Sequence, residues 1–162
     1  MSDAVGANTR LRRPLAVIFA AILLVVLALV QVGIASLFVI YQHEITASIT
    51  AASATATAEQ LGDRISAALA SGMVVHAILT IVYIAAAIAL RTQANVVRLF
   101  VTGLALVATF TDGLILGQLP AWLPRETSLF QGVFIGSTAL RALVIVLLWL
   151  PAVSRAWYRR DA

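Results

Sequence analysis

Residues 99–119 read LFVTGLALVATFTDGLILGQL and residues 129–150 read LFQGVFIGSTALRALVIVLLWL. Both segments are long and apolar enough to cross a membrane, yet the first contains Asp112 and the second contains Arg141. A charged side chain at membrane depth is costly unless it is paired or hydrated, so such residues are functional-site candidates by default. Because the two charges are opposite and lie on consecutive segments, the sequence predicts that Asp112 and Arg141 form an ion pair.

The composition of the 162-residue chain places it in the integral membrane class. Hydrophobic residues make up 62% and charged residues 11%, and the mean hydropathy is +1.01, whereas soluble domains are about half apolar and about a quarter charged. The eleven basic residues are all arginines, and all except Arg141 flank the apolar segments instead of forming a patch. This pattern favours contact with anionic lipid headgroups and argues against nucleic acid as a partner. The lack of cysteine excludes disulfides, thiolate nucleophiles and cysteine-ligated metals.

Two further apolar segments precede the segments that contain Asp112 and Arg141. The sequence therefore predicts one all-α integral membrane domain over residues 1–162. The four spans are expected at about 14–41, 72–90, 99–119 and 129–150. Residues 42–71 form an outer connection that is part helical and part low in complexity. Within it, Thr57-Ala58-Glu59-Gln60 has the form of a capping box, which predicts a helix that begins near Ala58 and continues into the second span. Pro120 is expected to close the third span.

The distribution of arginine predicts the orientation of the spans. Only Arg64 and Arg125 fall on one side of the predicted membrane. Eight arginines fall on the other side: Arg10, Arg12, Arg13, Arg91, Arg98, Arg155, Arg159 and Arg160. The positive-inside rule then predicts an antiparallel four-helix bundle with both termini in the cytoplasm. A chain without lysine and rich in Ala, Val and Leu is typical of GC-rich bacteria.

Each predicted span places one polar residue at a similar depth. Measured from the nearest arginine on the cytoplasmic side, each lies fourteen to eighteen residues into its span. At about 1.5 Å per residue, this corresponds to roughly 21–27 Å. These four residues are Gln31, His76, Asp112 and Arg141. They predict a polar layer inside the membrane, slightly to the outer side of the bilayer centre.

Small residues predict where helices approach one another. His76 shares a helical face with Gly72, Thr80, Tyr83 and Ala87. In lipid, small and hydroxyl-bearing faces are those that pack against other helices. The pairs Gly113–Gly117 and Gly132–Gly136, each separated by three residues, are therefore expected to be helix-packing surfaces.

The motifs of catalysis are missing from the sequence. His43-Glu44 begins like a zinc-protease motif, but no second histidine follows one turn later. Neither a phosphate-binding loop nor a dinucleotide fingerprint occurs, and His43 and His76 are the only histidines. We therefore expect no catalytic residue, no cofactor and no metal site.

The last predicted span and the tail resemble a known group of proteins. Leu147-Leu148-Trp149-Leu150-Pro151, followed by Ser154-Arg155 and Trp157-Tyr158-Arg159-Arg160, is similar to the end of many small four-span membrane proteins of GC-rich actinobacteria, a group with no assigned function. The resemblance implies a plasma-membrane protein and transfers no catalytic residue. Small multidrug exporters also have four spans, but they carry a glutamate in the first span, where this chain has Gln31.

The sequence leaves three functions open. The first is a non-enzymatic accessory, assembly or interaction subunit of the cell envelope, with a membrane-protein partner or a second copy. The alternative is a homo-oligomeric transporter or channel subunit that uses the polar layer, because one small bundle has little room for a pathway of its own. The layer has two corresponding interpretations: the Asp112–Arg141 pair either fixes the register of two helices or belongs to a pathway. An intramembrane enzyme is the third and weakest hypothesis.

Overall fold

The computed structural model describes residues 14–92, 95–122 and 127–151 and shows helices throughout this part of the chain. These helices are α1 (Leu15–Ile40), α2 (Gln42–Ala52), α3 (Ala58–Ala89), α4 (Asn95–Trp122) and α5 (Thr127–Trp149), with a single 3₁₀ turn over Leu90–Thr92. By length and composition, α1, α3, α4 and α5 are each able to cross a membrane. For the described residues, the prediction of an all-helical fold with four helices able to span a membrane is therefore confirmed, and these helices indicate a multi-pass membrane protein. The arginines at 10, 12, 13, 125, 155, 159 and 160 and the aromatic tail lie outside the described residues.

The connection between the first two spans is mostly helical, as the capping box predicts. The Thr57 hydroxyl accepts a hydrogen bond from the backbone N–H of Gln60 (3.3 Å), and the Gln60 side chain accepts one from the N–H of Thr57 (3.2 Å). At about 1.5 Å per residue, the 32 residues of α3 extend about 48 Å. The hydrocarbon core is only about 30 Å thick, so the beginning of α3 continues the second span well beyond it.

Helix α2 is separated from α1 by a break at Tyr41. The ring of Tyr41 packs against Phe130 of α5 at a centroid distance of 6.2 Å, while its backbone N–H and C=O still bond to neighbouring turns. After the break, α2 buries Ile45 and Ile49 in a cluster that includes Leu119 near the end of α4. The break thus directs α2 over the ends of neighbouring helices.

One predicted helix end is wrong. Pro120 was expected to close the third span, but α4 continues to Trp122 with Pro120 inside it. Proline removes one hydrogen bond and crowds the carbonyl four residues earlier, and only two more helical residues follow Pro120. The remainder of the expected outer turn, residues 123 and 124, lies outside the described residues.

The buried apolar residues form two clusters at opposite ends of the helices. The α2-side cluster contains residues from the end of α1, the start of α3, the end of α4 and the start of α5, such as Ile34, Ala68, Ile115 and Phe130. The Leu90-side cluster contains Leu24, Leu79, Ala108, Val144 and Leu90 among others. In every long helix, the polar residues of the predicted layer fall between the two clusters.

Side-chain contacts join α4 to α5 near the Leu90-side cluster. The indole N–H of Trp149 donates a hydrogen bond to the Thr102 hydroxyl (2.9 Å), and the guanidinium of Arg98 lies 4.1 Å from the centre of the Trp149 ring. A cation over an indole face gains about 0.5–1 kcal/mol at exposed sites. This contact joins the beginning of α4 to the end of α5.

Candidate functional site: a buried polar layer

A layer of polar side chains crosses the interior where the two apolar clusters meet. The four predicted residues, Gln31 of α1, His76 of α3, Asp112 of α4 and Arg141 of α5, are all at most 2% exposed. All four predicted residues therefore face the interior; their depth in a membrane stays a prediction. The residues do not form one continuous network of direct hydrogen bonds; they form two groups.

The first group is built around the ion pair that the sequence predicts. Arg141 Nη1 lies 2.6 Å from Asp112 Oδ2, which confirms the predicted contact. The Ser137 hydroxyl lies 3.2 Å from the same carboxylate oxygen and 2.9 Å from the backbone oxygen of Phe134. Because Ser137 lies one turn before Arg141 on α5, both residues reach Asp112 from the same helical face.

Arg141 also binds a third helix through a residue that sequence reasoning did not single out as a partner. Its Nε donates a hydrogen bond to the hydroxyl of Tyr83 on α3 (2.7 Å), and Tyr83 is fully buried. Tyr83 lies seven residues, or about two turns, beyond His76. A long helical side chain points back toward the start of its helix, which brings the Tyr83 hydroxyl toward the layer. This direction was the available signal.

The second group joins α1 to α3. His76 Nδ1 and Gln31 Oε1 are 2.6 Å apart, and since an amide oxygen can only accept, His76 Nδ1 carries the hydrogen. Phe38 and Phe134 both lie near the imidazole, with centroid distances of 6.3 Å and 5.9 Å. Gln31 and His76 are fully buried, so this hydrogen bond lies in the interior.

Gly72 makes room for the ring of Phe38. Gly72 is buried one turn before His76. A Cβ atom added at Gly72 would overlap the Phe38 ring directly. Close approach of α1 and α3 at the level of the layer therefore depends on the missing side chain. Gly72 was placed on the correct face by the sequence, and the ring that occupies its space was not foreseen.

Four buried atoms of the layer have no hydrogen-bond partner among the described residues: Gln31 Nε2, His76 Nε2, Asp112 Oδ1 and Arg141 Nη2. The amide and guanidinium nitrogens are donors, and the carboxylate oxygen is an acceptor. Buried polar atoms are costly without a partner, so unsatisfied ones require a reason such as a bound molecule or ion. These four atoms are the unsatisfied hydrogen-bonding groups of the layer, and the charges of its Asp112–Arg141 pair sum to zero.

The predicted glycine surfaces behave differently from the polar layer. Gly113, Gly117, Gly132 and Gly136 all face outward, and a Cβ atom added at any of them would meet no atom within 4 Å. The expected close approach therefore does not occur between helices of this chain. The reason is rotational: the polar layer fixes which face of α4 and α5 turns inward, and these glycines lie on other faces. Contact with another chain stays a prediction.

Within the described residues, no group of three metal-ligating side chains occurs. His43 and Glu44 are exposed on α2, and Ala47 stands one turn beyond His43.

Comparison with known proteins gives no relative from which a function could be transferred. No protein-family model matches the chain, and neither a curated protein nor a solved structure shows significant similarity to it.

Proposed function

We propose that the chain is a non-enzymatic subunit of the bacterial plasma membrane that acts by associating with another helical surface, either a membrane-protein partner or a second copy. The observation that carries this proposal is the outward position of Gly113, Gly117, Gly132 and Gly136, each with open space around it. In this proposal the chain has an accessory or assembly role in the cell envelope.

Helices associate in lipid for reasons that differ from those in water. Since lipid is as apolar as leucine, association depends on close packing and hydrogen bonds, and glycine permits the closest approach of two backbones. The charged residues of the layer are at most 2% exposed and bonded inside the chain, so they are not offered to a partner. The glycine faces of α4 and α5, in contrast, are exposed and accessible to a partner helix.

The same proposal includes an antiparallel bundle with both termini in the cytoplasm. The membership of the two apolar clusters supports alternating helix directions, because α1 and α4 begin where α3 and α5 end. Arg91 and Arg98 flank the link between α3 and α4, and the arginine bias then assigns this side to the cytoplasm, against anionic headgroups. Reporter fusions after Arg91 and at the C-terminus should be cytoplasmic, and a fusion at Ala54 should be external. An external C-terminal reporter would contradict this topology.

The association is tested by replacing one glycine on each helix. The double variant Gly117→Leu and Gly136→Leu places large side chains where a partner backbone would approach. The matched control, Gly103→Leu, changes an equally open glycine of α4 that has no second glycine four residues away. The measurement is the mass of the complex extracted from native membranes in mild detergent, compared with the mass of the purified chain alone.

We expect the wild type and the control to migrate well above the 17.2 kDa of one chain and the double variant to lose that mass. If the purified wild-type chain keeps the larger mass, the complex is a homo-oligomer. If purification removes the larger mass, the complex contains a different protein. A wild-type chain that is monomeric in native extracts would contradict the proposal.

The four unpartnered atoms of the layer favour a second candidate, a homo-oligomeric transporter or channel subunit. In this case the layer would bind a small polar solute on its way through the membrane. Liposomes that contain the purified chain should then show solute or ion flux, and the flux should disappear with His76→Phe, which removes an unpartnered atom without breaking the ion pair. Absence of flux from liposomes that contain the assembled oligomer would reject this candidate.

A further inference from the structure

A groove between α1 and α3 opens on the side of the protein near the Leu90-side cluster. Its volume is ≈ 300 Å³, and it runs along α1 from Val17 to Val25 and along α3 from Ile84 to Leu90. Both helices are long and apolar enough to span a membrane. At about 1.5 Å per residue, Val17 to Val25 covers about 12 Å, and half of the hydrocarbon core is about 15 Å thick. The groove therefore faces the hydrocarbon of a single leaflet.

The wall of this groove is apolar except at one end. Every residue that lines it is Ala, Val, Ile or Leu apart from Arg91, which directly follows Leu90. Leu90 is only 2% exposed, whereas Arg91 is exposed in the 3₁₀ turn that follows α3. The groove, called the Arg91 groove below, is thus an apolar slot with one cation at the end where the span stops.

The charge of Arg91 is not balanced by a neighbouring carboxylate. No acidic side chain lines the groove. Within residues 14–92, 95–122 and 127–151, the one ion pair joins Asp112 to Arg141, so Arg91 has no carboxylate partner there. A guanidinium binds phosphate through two parallel N–H donors. Arg91 therefore favours a phosphate group at the end of the groove.

A phospholipid has its apolar and charged parts in the same order as the groove. An acyl chain in this leaflet lies beside the apolar wall, and its phosphate lies at the membrane surface, where the span ends at Arg91. Basic pockets between membrane-spanning helices are known to bind anionic headgroups. A headgroup with its own ammonium would bring a second cation close to the guanidinium and weaken the attraction. We propose that the Arg91 groove binds one anionic phospholipid, with an acyl chain between α1 and α3 and the phosphate paired with Arg91.

A second groove between the same two helices provides an internal control. Its volume is ≈ 390 Å³, and it lies further along α1, with Val32, Ala35 and Ala77 in its wall. No charged residue lines it. An acyl chain can fill this groove, but its wall does not distinguish an anionic headgroup from a neutral one. Of the two grooves, only the Arg91 groove is expected to select a lipid by charge.

Binding is tested with photoreactive lipids on the full chain in phosphatidylcholine nanodiscs. A phosphatidylglycerol probe and a phosphatidylcholine probe carry the same diazirine on the same acyl chain, and mass spectrometry identifies the labelled residues. At residues 17–25 and 84–91 we expect about fivefold more labelling by the phosphatidylglycerol probe, the preference that one arginine near the surface provides. At residues 32–39 the two probes should label equally. Unlabelled phosphatidylglycerol should compete, whereas inorganic phosphate should not, because the ligand is the lipid and not the free anion.

The role of the charge is tested with a matched pair of arginine variants. Arg91→Gln removes the cation from the groove, and Arg64→Gln removes the same charge from the other end of α3, outside the groove. We expect the first variant to label equally with both probes and the second to keep the preference for phosphatidylglycerol.

The role of the apolar wall is tested with a matched pair of alanine variants on α1. Ala21→Leu fills the Arg91 groove, and Ala35→Leu fills the second groove. Both alanines are partly buried. We expect Ala21→Leu to reduce labelling by the phosphatidylglycerol probe to the level of the phosphatidylcholine probe, and Ala35→Leu to leave it unchanged. Ile22→Trp, at a more exposed position of the same wall, replaces Ala21→Leu if thermal unfolding shows that this variant is not folded.

Four results would overturn this site. They are equal labelling of the groove by the two probes in the wild type, a preference that survives Arg91→Gln or a folded variant with a filled groove, an equal loss of preference in Arg64→Gln, and competition by inorganic phosphate. Each can occur whether or not the chain associates through Gly117 and Gly136 on α4 and α5, so a failure here is distinguishable from a failure of the proposed function.

Discussion

Removing one charge of the Asp112–Arg141 pair while preserving its volume should destabilise the protein by amounts that differ between the two partners. Asp112→Asn leaves the guanidinium of Arg141 without a countercharge, at 1% exposure and with Tyr83 as its remaining strong partner. Arginine does not lose its proton in proteins. Breaking a buried pair in this way costs about 3–5 kcal/mol, and the cost should not change between pH 5 and pH 7.

Arg141→Met leaves the Asp112 carboxylate, which can escape its unpaired charge by taking up a proton. The free energy of that uptake is about 1.4 kcal/mol for each pH unit above the ordinary pKa of aspartate, about 3.9. The cost of the lost charge is thus limited to about 4 kcal/mol at pH 7 and about 1.5 kcal/mol at pH 5. Because the folded variant holds the proton and the unfolded chain does not, stability should rise as the pH falls from 7 to 5.

The double variant separates a structural pair from two independent residues. With both charges removed, Ser137 keeps its bond to the Phe134 backbone, but the Tyr83 hydroxyl loses the partner that the structure shows. We therefore expect the double variant to recover most of the single losses and to retain a cost of about 1–3 kcal/mol for a buried unsatisfied hydroxyl. Adding Tyr83→Phe should remove that remaining cost.

The assay is reversible unfolding in mixed micelles with increasing SDS, at pH 5 and at pH 7. Asp63→Asn and Arg91→Met, two exposed positions, provide matched controls for the chemical changes and should have little effect. Additive losses in the double variant would refute the coupling between Asp112 and Arg141. A loss for Arg141→Met that is the same at both pH values would refute the argument from proton uptake.

Two further substitutions, one at Gly72 and one at Thr57, test a packing contact and a helix cap by the same unfolding assay. Gly72→Ala should cost about 1–3 kcal/mol, because the added Cβ overlaps the Phe38 ring, whereas Gly113→Ala, in open space, should stay within about 0.5 kcal/mol; equal effects would contradict the role of Gly72. Thr57→Ala should cost about 1 kcal/mol and speed amide exchange at the start of α3, since it removes the acceptor for the Gln60 N–H. Restoration by Thr57→Ser is the control, and unchanged exchange in the alanine variant would show that the cap does not hold this helix end.

The position of the polar layer could be predicted because helix rise is nearly constant. The depth of a residue in its span follows from counting residues alone. The contact between Asp112 and Arg141 could then be predicted, because the two residues have opposite charges, lie at similar depth and are on consecutive spans. The pairing of Gln31 with His76 was not predicted. It depends on which face α1 turns toward α3, and in a helix as uniformly apolar as α1 the pattern of hydrophobic residues does not define a face.

The outward glycines could have been predicted from the same charges. A residue advances about 100° around a helix, so Gly117 lies about 140° from Asp112, Gly136 about 140° from Arg141, and Gly132 about 180° from Arg141. Taking the buried charge as the inner face of each helix would have put these glycines on the outer side. The Tyr83 contact is different, because it depends on the directions of side chains on two helices, α3 and α5, and not on either helix alone.

The uneven distribution of charge along the chain also affects its biosynthesis. The most apolar windows of α1 and α3 have mean hydropathies of 3.1 and 2.4, while those of α4 and α5 have 1.9 and 2.0. An unpaired Asp or Arg at the centre of a helix opposes insertion by about 2.5–3.5 kcal/mol. When the ribosome has completed α4, Asp112 has no countercharge, and Arg141 follows only 29 residues later. We therefore expect the insertion machinery to hold α4 until α5 emerges, so that the two helices enter the lipid together as a hairpin.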